Sequence, residues 1–444
     1  MTSALKAYRG RLLHFLDDPY TKDNHAVNNQ HNLAYEYFLD GLLIVEDGHV
    51  IKAGAFDLLA STLPAQVIIE HYPNHLIMPG FIDTHIHYPQ TQMIGAYGEQ
   101  LLTWLNQYTF PTEQAFESLA HAAKVSNVFI NELLRNGTTT ALVFGTVHKN
   151  SVEAFFTEAK KRQLRMIAGK VLMDRNAPAA LCDTPQSGYD DSKALIERWH
   201  NVDRLRYAVT PRFAPTSSPE QLAKAAQLLN EYPDVYLHTH LSENLDEIKW
   251  VESIFPESQH YLDVYQKAGL VRKNSVFAHG VHLCDDACEQ LANNKAAIAH
   301  CPTSNLFLGS GLFNLAQAKR FGINVGLGTD VGAGTSFSMF KTMDEAYKIQ
   351  QLNKATLDPL SALYMATLGG AKALNLDDKI GNFATGKEAD FIIADLAATP
   401  LIDFRLQYSQ SLSDLLFTLN TLGDDRLITK TFALGRCVHN RDGN

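Results

Sequence analysis

Two histidines separated by one residue, His85 and His87, end an apolar segment that begins near Pro79. The preceding residues are apolar or β-branched, which predicts a buried strand, and side chains two apart on a strand point to the same side. Both imidazoles are therefore expected to face one volume. Neutral imidazole is the commonest protein ligand of Zn²⁺, so the pair suggests half of a metal site, although a bare His-x-His can also be chance or surface decoration.

Further histidines and carboxylates follow later segments that are predicted to be strands. His240 and Glu243 come after one apolar segment, and Asp330 follows a glycine-flanked one. Together they predict a mixed nitrogen and oxygen ligand set, typical of a catalytic zinc site with room for water: His85, His87, His240 and Asp330. Zinc lowers the pKa of bound water to about 7. Glu243 is the predicted proton carrier.

Each of these residues also has a purely structural interpretation when taken alone. Asp330 could cap a helix, His279 could be a buried turn histidine, and His240 could be a hydrogen-bonded core residue. Glu243 could be a surface carboxylate. His238 lies two residues before His240 on the same face, and we assign it to packing behind the ligands and not to the metal. The joint occurrence of these residues at strand ends favours the functional interpretation.

The elements that must position these side chains alternate along the chain after residue 79. Apolar strand candidates alternate with longer amphipathic stretches, which predicts parallel βα units and, with eight strands, an α/β fold of the (β/α)8 TIM barrel type. The candidates are Leu76–Asp83, Thr138–Phe144, Met166–Leu172, Tyr207–Thr210, Val235–His240, Ser275–His279, Ala296–His300 and Ile323–Gly328. Predicted helices include Thr112–Arg135, Ser218–Glu231, Leu312–Phe321, Met339–Gln350 and Pro359–Ala373.

Both chain ends are rich in short strand candidates and turns. We predict that residues 1–79 and 380–444 form one smaller β-sandwich domain and that residues 80–379 form the barrel domain. The polar segment from Asp17 to Gln30 is predicted to be a loop, and His25 and His31 are expected to face solvent.

Composition excludes several classes of function. The 444 residues carry 38 Lys+Arg against 48 Asp+Glu, a net charge of −10 without a dense basic run, which argues against nucleic-acid polymers and anionic membranes. No apolar run reaches the roughly 18 residues of a membrane span, so a cytoplasmic protein is expected. The five cysteines include no C-x-x-C pair, which argues against disulfides, a thiolate zinc site and the C-x-x-C nucleobase deaminases.

Several segments resemble the amidohydrolase superfamily and, within it, the guanine deaminase family, over nearly the whole chain. The most specific are residues 79–90, 95–105, 136–140, 211–214, 238–244 and 301–305. His-x-His with a late aspartate marks only the superfamily. The motifs Pro89-Gln90 and Pro211-Arg212-Phe213 narrow the resemblance to the guanine deaminases.

The resemblance implies a role for each matching residue. It implies one Zn²⁺ per subunit on His85, His87, His240 and Asp330, with Glu243, Asp330 and His279 as catalytic residues. Glu243 would shuttle protons and His279 would orient the attacking water. Guanine would contact Gln90, Arg212 and the backbone of Phe213, and also His87, His240, Glu243 and Asp330. The resemblance further implies a homodimer. It also implies zinc as the metal, whereas the ligand types alone allow zinc or iron.

Guanine chemistry agrees with this set. An arginine fork can donate to O6 and N7, and Gln90 suits the N1-H and O6 edge, whereas adenine would place a donor against Arg212. A surface ion pair is the alternative for Arg212. The expected reaction is attack of water at C2, with Glu243 delivering a proton to N3 and Asp330 or Glu243 relaying a second proton as ammonia leaves.

Three competing hypotheses remain open from the sequence. One is another mononuclear member acting on 8-oxoguanine, an s-triazine or a related aminated ring. A second is a binuclear hydrolase, which would need a bridging lysine after the fourth strand, where the chain has Thr210-Pro211-Arg212. The third is a non-catalytic scaffold, which would be free to lose the metal ligands.

Overall fold

A computed structural model describes residues 5–20, 34–98 and 100–443, and eight parallel strands form its centre. The strands are β1 (Phe81–His87), β2 (Thr138–Phe144), β3 (Arg165–Gly169), β4 (Arg206–Pro211), β5 (Tyr236–Leu241), β6 (Ser275–His279), β7 (Ala297–His300) and β8 (Asn324–Leu327). A short strand, Val171–Leu172, follows β3 and also pairs with β4. Neighbours in sequence are neighbours in the sheet from β1 to β8, which confirms the predicted (β/α)8 barrel.

The barrel closes between β8 and β1 through bonds that involve side chains. Thr84 Oγ1 donates to the carbonyl of Leu327 at 2.9 Å. The buried carboxylate of Asp83 accepts from the backbone nitrogen of Thr329 at 3.1 Å and from its hydroxyl at 2.5 Å. Burial raises the pKa of Asp83 to about 7, while these bonds oppose that rise. The end of β8 is thereby fixed beside β1.

Two glycines in and after β8 permit this close approach. A Cβ on Gly326 would lie 2.4 Å from Thr84 Cγ2, and one on Gly328 would lie 2.9 Å from His85 Cβ. Any larger residue would force the two strands apart. The glycines therefore bring the segment after β8 next to the histidines of β1.

The helices connect these strands, and none of those in the described residues combines the length and apolar character that a bilayer crossing requires. The α-helices are Phe56–Leu59, Leu101–Trp104, Phe110–Gln114, Leu119–Arg135, Lys149–Lys161, Pro185–Trp199, Pro219–Glu231, Leu245–Ile254, Tyr261–Lys267, Asp285–Asn293, Pro302–Phe307, Leu315–Arg320, Met339–Leu352, Pro359–Met365, Leu368–Ala373, Pro400–Leu406 and Leu412–Leu422. Leu105–Thr109 is a π-helix. The 3₁₀ turns are Ala60–Thr62, Tyr88–Met93, Ala115–Glu117, Ala179–Leu181, Ala214–Thr216 and Asp425–Leu427.

The smaller β domain takes strands from both chain ends, as predicted. Its seven strands are hydrogen-bonded in one continuous order: Arg436–Asn440, Ile428–Ala433, Phe391–Asp395, Ile69–Pro79, Lys6–Phe15, Tyr35–Glu46 and His49–Ala55. One face has its own apolar core, in which the rings of Tyr8, Phe391 and Phe432 stack or meet edge-on. His25 and His31 lie outside the described residues.

The predicted strand Leu76–Asp83 is wrong because it joins two strands of different sheets. The strand Ile69–Pro79 ends in the smaller sheet, and β1 begins at Phe81. At Gly80 between them, the backbone nitrogen donates to the carbonyl of Asp390, just before the strand Phe391–Asp395 of the smaller sheet, at 3.0 Å. A Cβ on Gly80 would lie 2.3 Å from Thr139 Oγ1, so the crossing needs a glycine.

Two predicted helices are each interrupted once. The predicted helix Thr112–Arg135 breaks at Ser118, whose hydroxyl accepts from the backbone nitrogen of His121 as an N-cap. The predicted helix Pro359–Ala373 is interrupted between Met365 and Leu368. Amphipathic periodicity continued through both breaks, so it could not reveal them.

Buried ion pairs connect the barrel to the smaller β domain, and Arg204 is at their centre. Its guanidinium donates to both oxygens of Asp390 at 2.8 Å and to Glu388 at 2.9 Å. Glu388 also binds Arg165. The side chains of Arg204, Glu388 and Asp390 are each at most 10% exposed.

We expect Arg204→Ala to destabilise the protein by about 3–5 kcal/mol, because it leaves buried carboxylates without their partner. The midpoint of urea unfolding, followed by circular dichroism, measures the effect. Arg198→Ala is the control, since the Arg198 side chain is 63% exposed in its ion pair with Glu153, and such pairs contribute about 0–1 kcal/mol. Equal midpoints for the two variants would contradict the expectation.

Candidate metal and substrate site

Four side chains from three barrel strands converge at the carboxyl end of the barrel. The ligand atoms of His85, His87, His240 and Asp330 all lie within 4.8 Å of one another. Asp330 Oδ1 is 3.1 Å from His85 Nε2 and 3.3 Å from His87 Nε2, and the Nε2 atoms of His87 and His240 are 3.2 Å apart. The structure thus brings together all four predicted ligands, and this cluster fits a metal-binding site.

Hydrogen bonds behind the cluster leave the inward nitrogen of His240 available as a ligand. The backbone carbonyl of Arg212 lies 2.7 Å from His240 Nδ1, so Nδ1 carries the proton and Nε2 keeps its lone pair. His85 Nδ1 is 2.7 Å from His238 Nε2, which places His238 behind the cluster as expected. Burial lowers the pKa of His87 to about 4 and that of His240 well below its ordinary value. Neutral imidazoles are the form that binds metals.

Asp330 supplies the negative charge of the cluster. Burial alone would raise its pKa, but the imidazoles of His85, His87 and His279 hold that pKa well below the ordinary range. The backbone nitrogen of Asp330 donates to the carbonyl of His85 at 3.0 Å. Asp330 has φ of +50° and His279 has φ of +72°, and such conformations cost about 1–3 kcal/mol and concentrate at functional sites.

Glu243 and His279 lie together on one side of the cluster. His279 Nε2 is 3.4 Å from Glu243 Oε2 and 3.7 Å from Asp330 Oδ2. Asn305 Nδ2 donates to His279 Nδ1 at 2.9 Å, which leaves the proton on Nε2. That buried Nε2 finds no hydrogen-bond partner among the described residues. A water molecule between these groups would satisfy it.

The carboxyl group of Glu243 is suited to hold and release a proton. Burial raises its pKa well above the ordinary value, and the nearby carboxyl groups of Glu247 and Asp330 raise it further. The hydroxyl of Ser310 donates to Glu243 Oε1 at 2.9 Å and fixes the orientation of the group. Pairs of carboxyl groups whose environments separate their pKa values commonly divide acid and base roles.

The predicted base-binding residues line the same cavity as the cluster. Its wall includes Gln90, Arg212 and Phe213 together with His87, His240, Glu243, His279 and Asp330. The carbonyl of Phe213 already accepts from the backbone nitrogen of Thr216 at 3.1 Å, so its N–H is the backbone group left for a ligand. Leu101 and Trp104, from the helix Leu101–Trp104, also line the cavity.

Arg212 is buried and not part of a surface ion pair. Its Nη1 donates to both carboxylate oxygens of Glu113, at 2.8 and 3.1 Å. Gln90 Nε2 donates to the same carboxylate at 3.3 Å, and Gln90 Oε1 accepts from the backbone nitrogen of Gly332 at 3.2 Å. A single buried carboxylate therefore holds both predicted base-binding side chains.

Sequence reasoning missed Glu113 and Glu247. Glu113 pairs with a residue 99 positions away, and no local pattern signals such a contact. Glu247 accepts from the backbone nitrogens of Glu243 and Asn244, at 2.9 and 3.1 Å. This is a capping box, and the Asn-x-x-Glu spacing from Asn244 is a signal that could have predicted it.

Comparisons with known proteins agree with this geometry. Residues 76–438 match the model of the amidohydrolase family. The chain is 55% identical to a guanine deaminase of Escherichia coli (strain K12) over 438 residues, which cover 99% of this chain and 98% of that one. A solved structure of E. coli guanine deaminase superposes with a TM-score of 0.93 at 52% identity, covering 99% of both chains. Guanine deaminase from C. acetobutylicum, solved with bound guanine in its active site, superposes with a TM-score of 0.86 at 30% identity, covering 98% of this chain and 100% of that one.

Proposed function

The chain belongs to the amidohydrolase family, and from this premise we propose that it hydrolyses free guanine to xanthine and ammonia. The observation that carries the proposal is a single cavity lined by the His87, His240 and Asp330 cluster and by Gln90 and Arg212. The relative that is 55% identical over 99% of the chain is a guanine deaminase, and a solved guanine deaminase superposes over the same span. A guanine molecule can therefore meet hydrolytic groups and base-binding groups at once.

We propose one Zn²⁺ per chain, held by His85, His87, His240 and Asp330. Three imidazoles and one carboxylate suit Zn²⁺, and His279 Nε2 beside them, which has no hydrogen-bond partner among the described residues, fits a ligand water. When bound, the ion supplies a water of lowered pKa, which is a nucleophile at neutral pH.

The residues around the cluster divide the proton transfers. Glu243 takes a proton from the attacking water and gives it to N3 as the oxygen adds to C2. His279 holds that water through its Nε2–H. Asp330 or Glu243 then takes the remaining proton from the oxygen on C2 and gives it to the amino group, which leaves as ammonia. The sum is guanine plus water giving xanthine plus ammonia.

Base recognition is assigned to Gln90, Arg212 and the N–H of Phe213. The guanidinium of Arg212 donates to the described residues through Nη1. Its Nη2 and Nε therefore remain to donate to O6 and N7 of the base. Adenine would place an amino donor against these donors. A site that leaves buried polar groups unpaired with the wrong substrate can reject it by roughly 10⁴-fold or more.

We expect Arg212→Ala to lower kcat/KM for guanine by about 10- to 100-fold or more, because bonds to a charged donor are each worth about 1.5–3 kcal/mol. Steady-state kinetics by xanthine absorbance measures the loss. Arg206→Ala is the control, since Arg206 begins the strand Arg206–Pro211 and Arg212 follows its other end. An unchanged kcat/KM would remove Arg212 from base recognition.

The activity itself is tested by incubating the purified, zinc-loaded chain with a panel of bases and measuring released ammonia. Guanine is expected to be the best substrate, ahead of 8-oxoguanine, adenine and aminated s-triazines. Release from a triazine alone would favour another mononuclear hydrolase. The binuclear alternative has little support, since Arg212 and not a lysine follows the fourth strand, and Lys170, which follows the third strand, is paired with Asp183 at 2.5 Å. A homodimer and a cytoplasmic location stay predictions, and sedimentation velocity tests the first.

A further inference from the structure

Glu113 is a fully buried carboxylate that the proposed reaction does not use. It lies on the helix Phe110–Gln114 and is 0% exposed. Its two oxygens accept from Arg212 Nη1, and Oε1 also accepts from Gln90 Nε2. Glu113 is not among the residues that line the cavity. It can therefore act on a bound base only through the two side chains that it holds.

The contacts of Gln90 fix which end of its amide is the donor. An ionised carboxylate only accepts hydrogen bonds and a backbone N–H only donates. Glu113 therefore requires the Nε2 end, and Gly332 requires the Oε1 end. Each end of the amide keeps one further bonding position. Without the charge on Glu113, the amide could turn by half a rotation and exchange donor for acceptor.

The same helix also fixes the plane of the Arg212 guanidinium. Glu113 binds its Nη1, and the ring of Phe110 lies 5.6 Å from its central carbon. Phe110 follows directly after the π-helix Leu105–Thr109, which contributes to the cavity wall. The direction of Arg212 Nη2 and Nε is therefore set from outside the cavity.

We infer that Glu113 is a positioning residue for base specificity: by orienting Gln90 and Arg212 together, it makes the site select purines with an oxygen at C6. The inference rests on the proposed function, since it names the groups through which that site reads its base. It predicts a selective loss of O6 recognition when the charge is removed, with the reacting groups left in place.

The test compares binding of hypoxanthine and of purine, which differ by the C6 oxygen and the N1–H that accompanies it, and which both lack the amino group that would leave. Calorimetric titration uses the zinc-loaded chain and its Glu113→Gln variant, which is isosteric but uncharged. Hypoxanthine is expected to bind about 10- to 100-fold more weakly to the variant, and purine is expected to change by less than about threefold. Equal factors for the two ligands, or no change for either, would overturn the inference.

Two further variants make this result interpretable. Glu117→Gln removes an exposed carboxylate four residues later and is expected to bind both ligands like the wild type. Glu113→Asp keeps the charge but cannot reach both partners, so a smaller selective loss is expected, and it serves if Glu113→Gln does not fold. An unchanged ratio in Glu113→Asp would then overturn the inference. Failure of the proposed function shows separately, as absence of ammonia release from guanine by the wild type.

Discussion

Replacement of Glu243 by glutamine is expected to lower kcat for guanine by about 10²- to 10⁴-fold, the range of a lost general acid and base. The glutamine oxygen can still accept from Ser310, so the side chain should keep its orientation. It cannot carry a proton, however. Because Glu243 is not one of the four clustered ligands, the zinc content should stay at the wild-type value, which inductively coupled plasma mass spectrometry measures.

Glu252→Gln is the matched control for this experiment, because Glu252 lies exposed on the helix Leu245–Ile254 that follows Glu243. Glu252 does not line the cavity, so its replacement should leave kcat unchanged. Activity of Glu243→Gln within tenfold of the wild type would show that another group moves the proton. Loss of zinc along with activity would show that Glu243 supports the metal instead.

Replacement of His240 by alanine is expected to abolish both metal binding and turnover. Even the loss of an outer partner of a ligand costs about 10- to 100-fold in metal affinity, and His240 belongs to the cluster itself. Zinc should raise the thermal unfolding midpoint of the wild type, because a ligand that binds only the folded state stabilises it. The variant should lose this zinc-dependent rise, a readout that does not need activity.

His71→Ala is the control, since His71 is exposed on a strand of the smaller sheet. It should keep the wild-type zinc content and the rise in midpoint. A His240→Ala chain that still retained one equivalent of zinc after dialysis would contradict the assignment. The metal would then rest on the second group that the structure offers, His85, His279, Cys301 and Asp330.

The sequence predicted the barrel and the convergence of the four clustered side chains, because their signals are local or periodic. Strands such as Thr138–Phe144 and Ser275–His279 have the predicted bounds, since each is a short apolar run between polar stretches. His85, His87, His240 and Asp330 meet because the carboxyl ends of barrel strands share one rim. Which side chain fills which role stays a prediction that the variants above test.

What the sequence could not show depends on contacts between distant segments. The chain passes from one sheet to the other at Gly80, where Thr139 leaves no room for a side chain. An apolar run looks the same in the sequence whether it belongs to one sheet or to two. Glu113 stands in an amphipathic stretch where a glutamate is ordinarily exposed. Only the fold brings it to Arg212, so its burial had no local signal.

The carbonyl of residue 212 orients the imidazole of His240, a proposed metal ligand, while the side chain of the same residue lines the cavity proposed to bind the base. A main-chain oxygen is chemically the same in every amino acid, so exchange of that side chain alters what is recognised and leaves the imidazole alignment intact. New ring preferences can therefore arise at this position through single substitutions, with the hydrolytic machinery inherited unchanged.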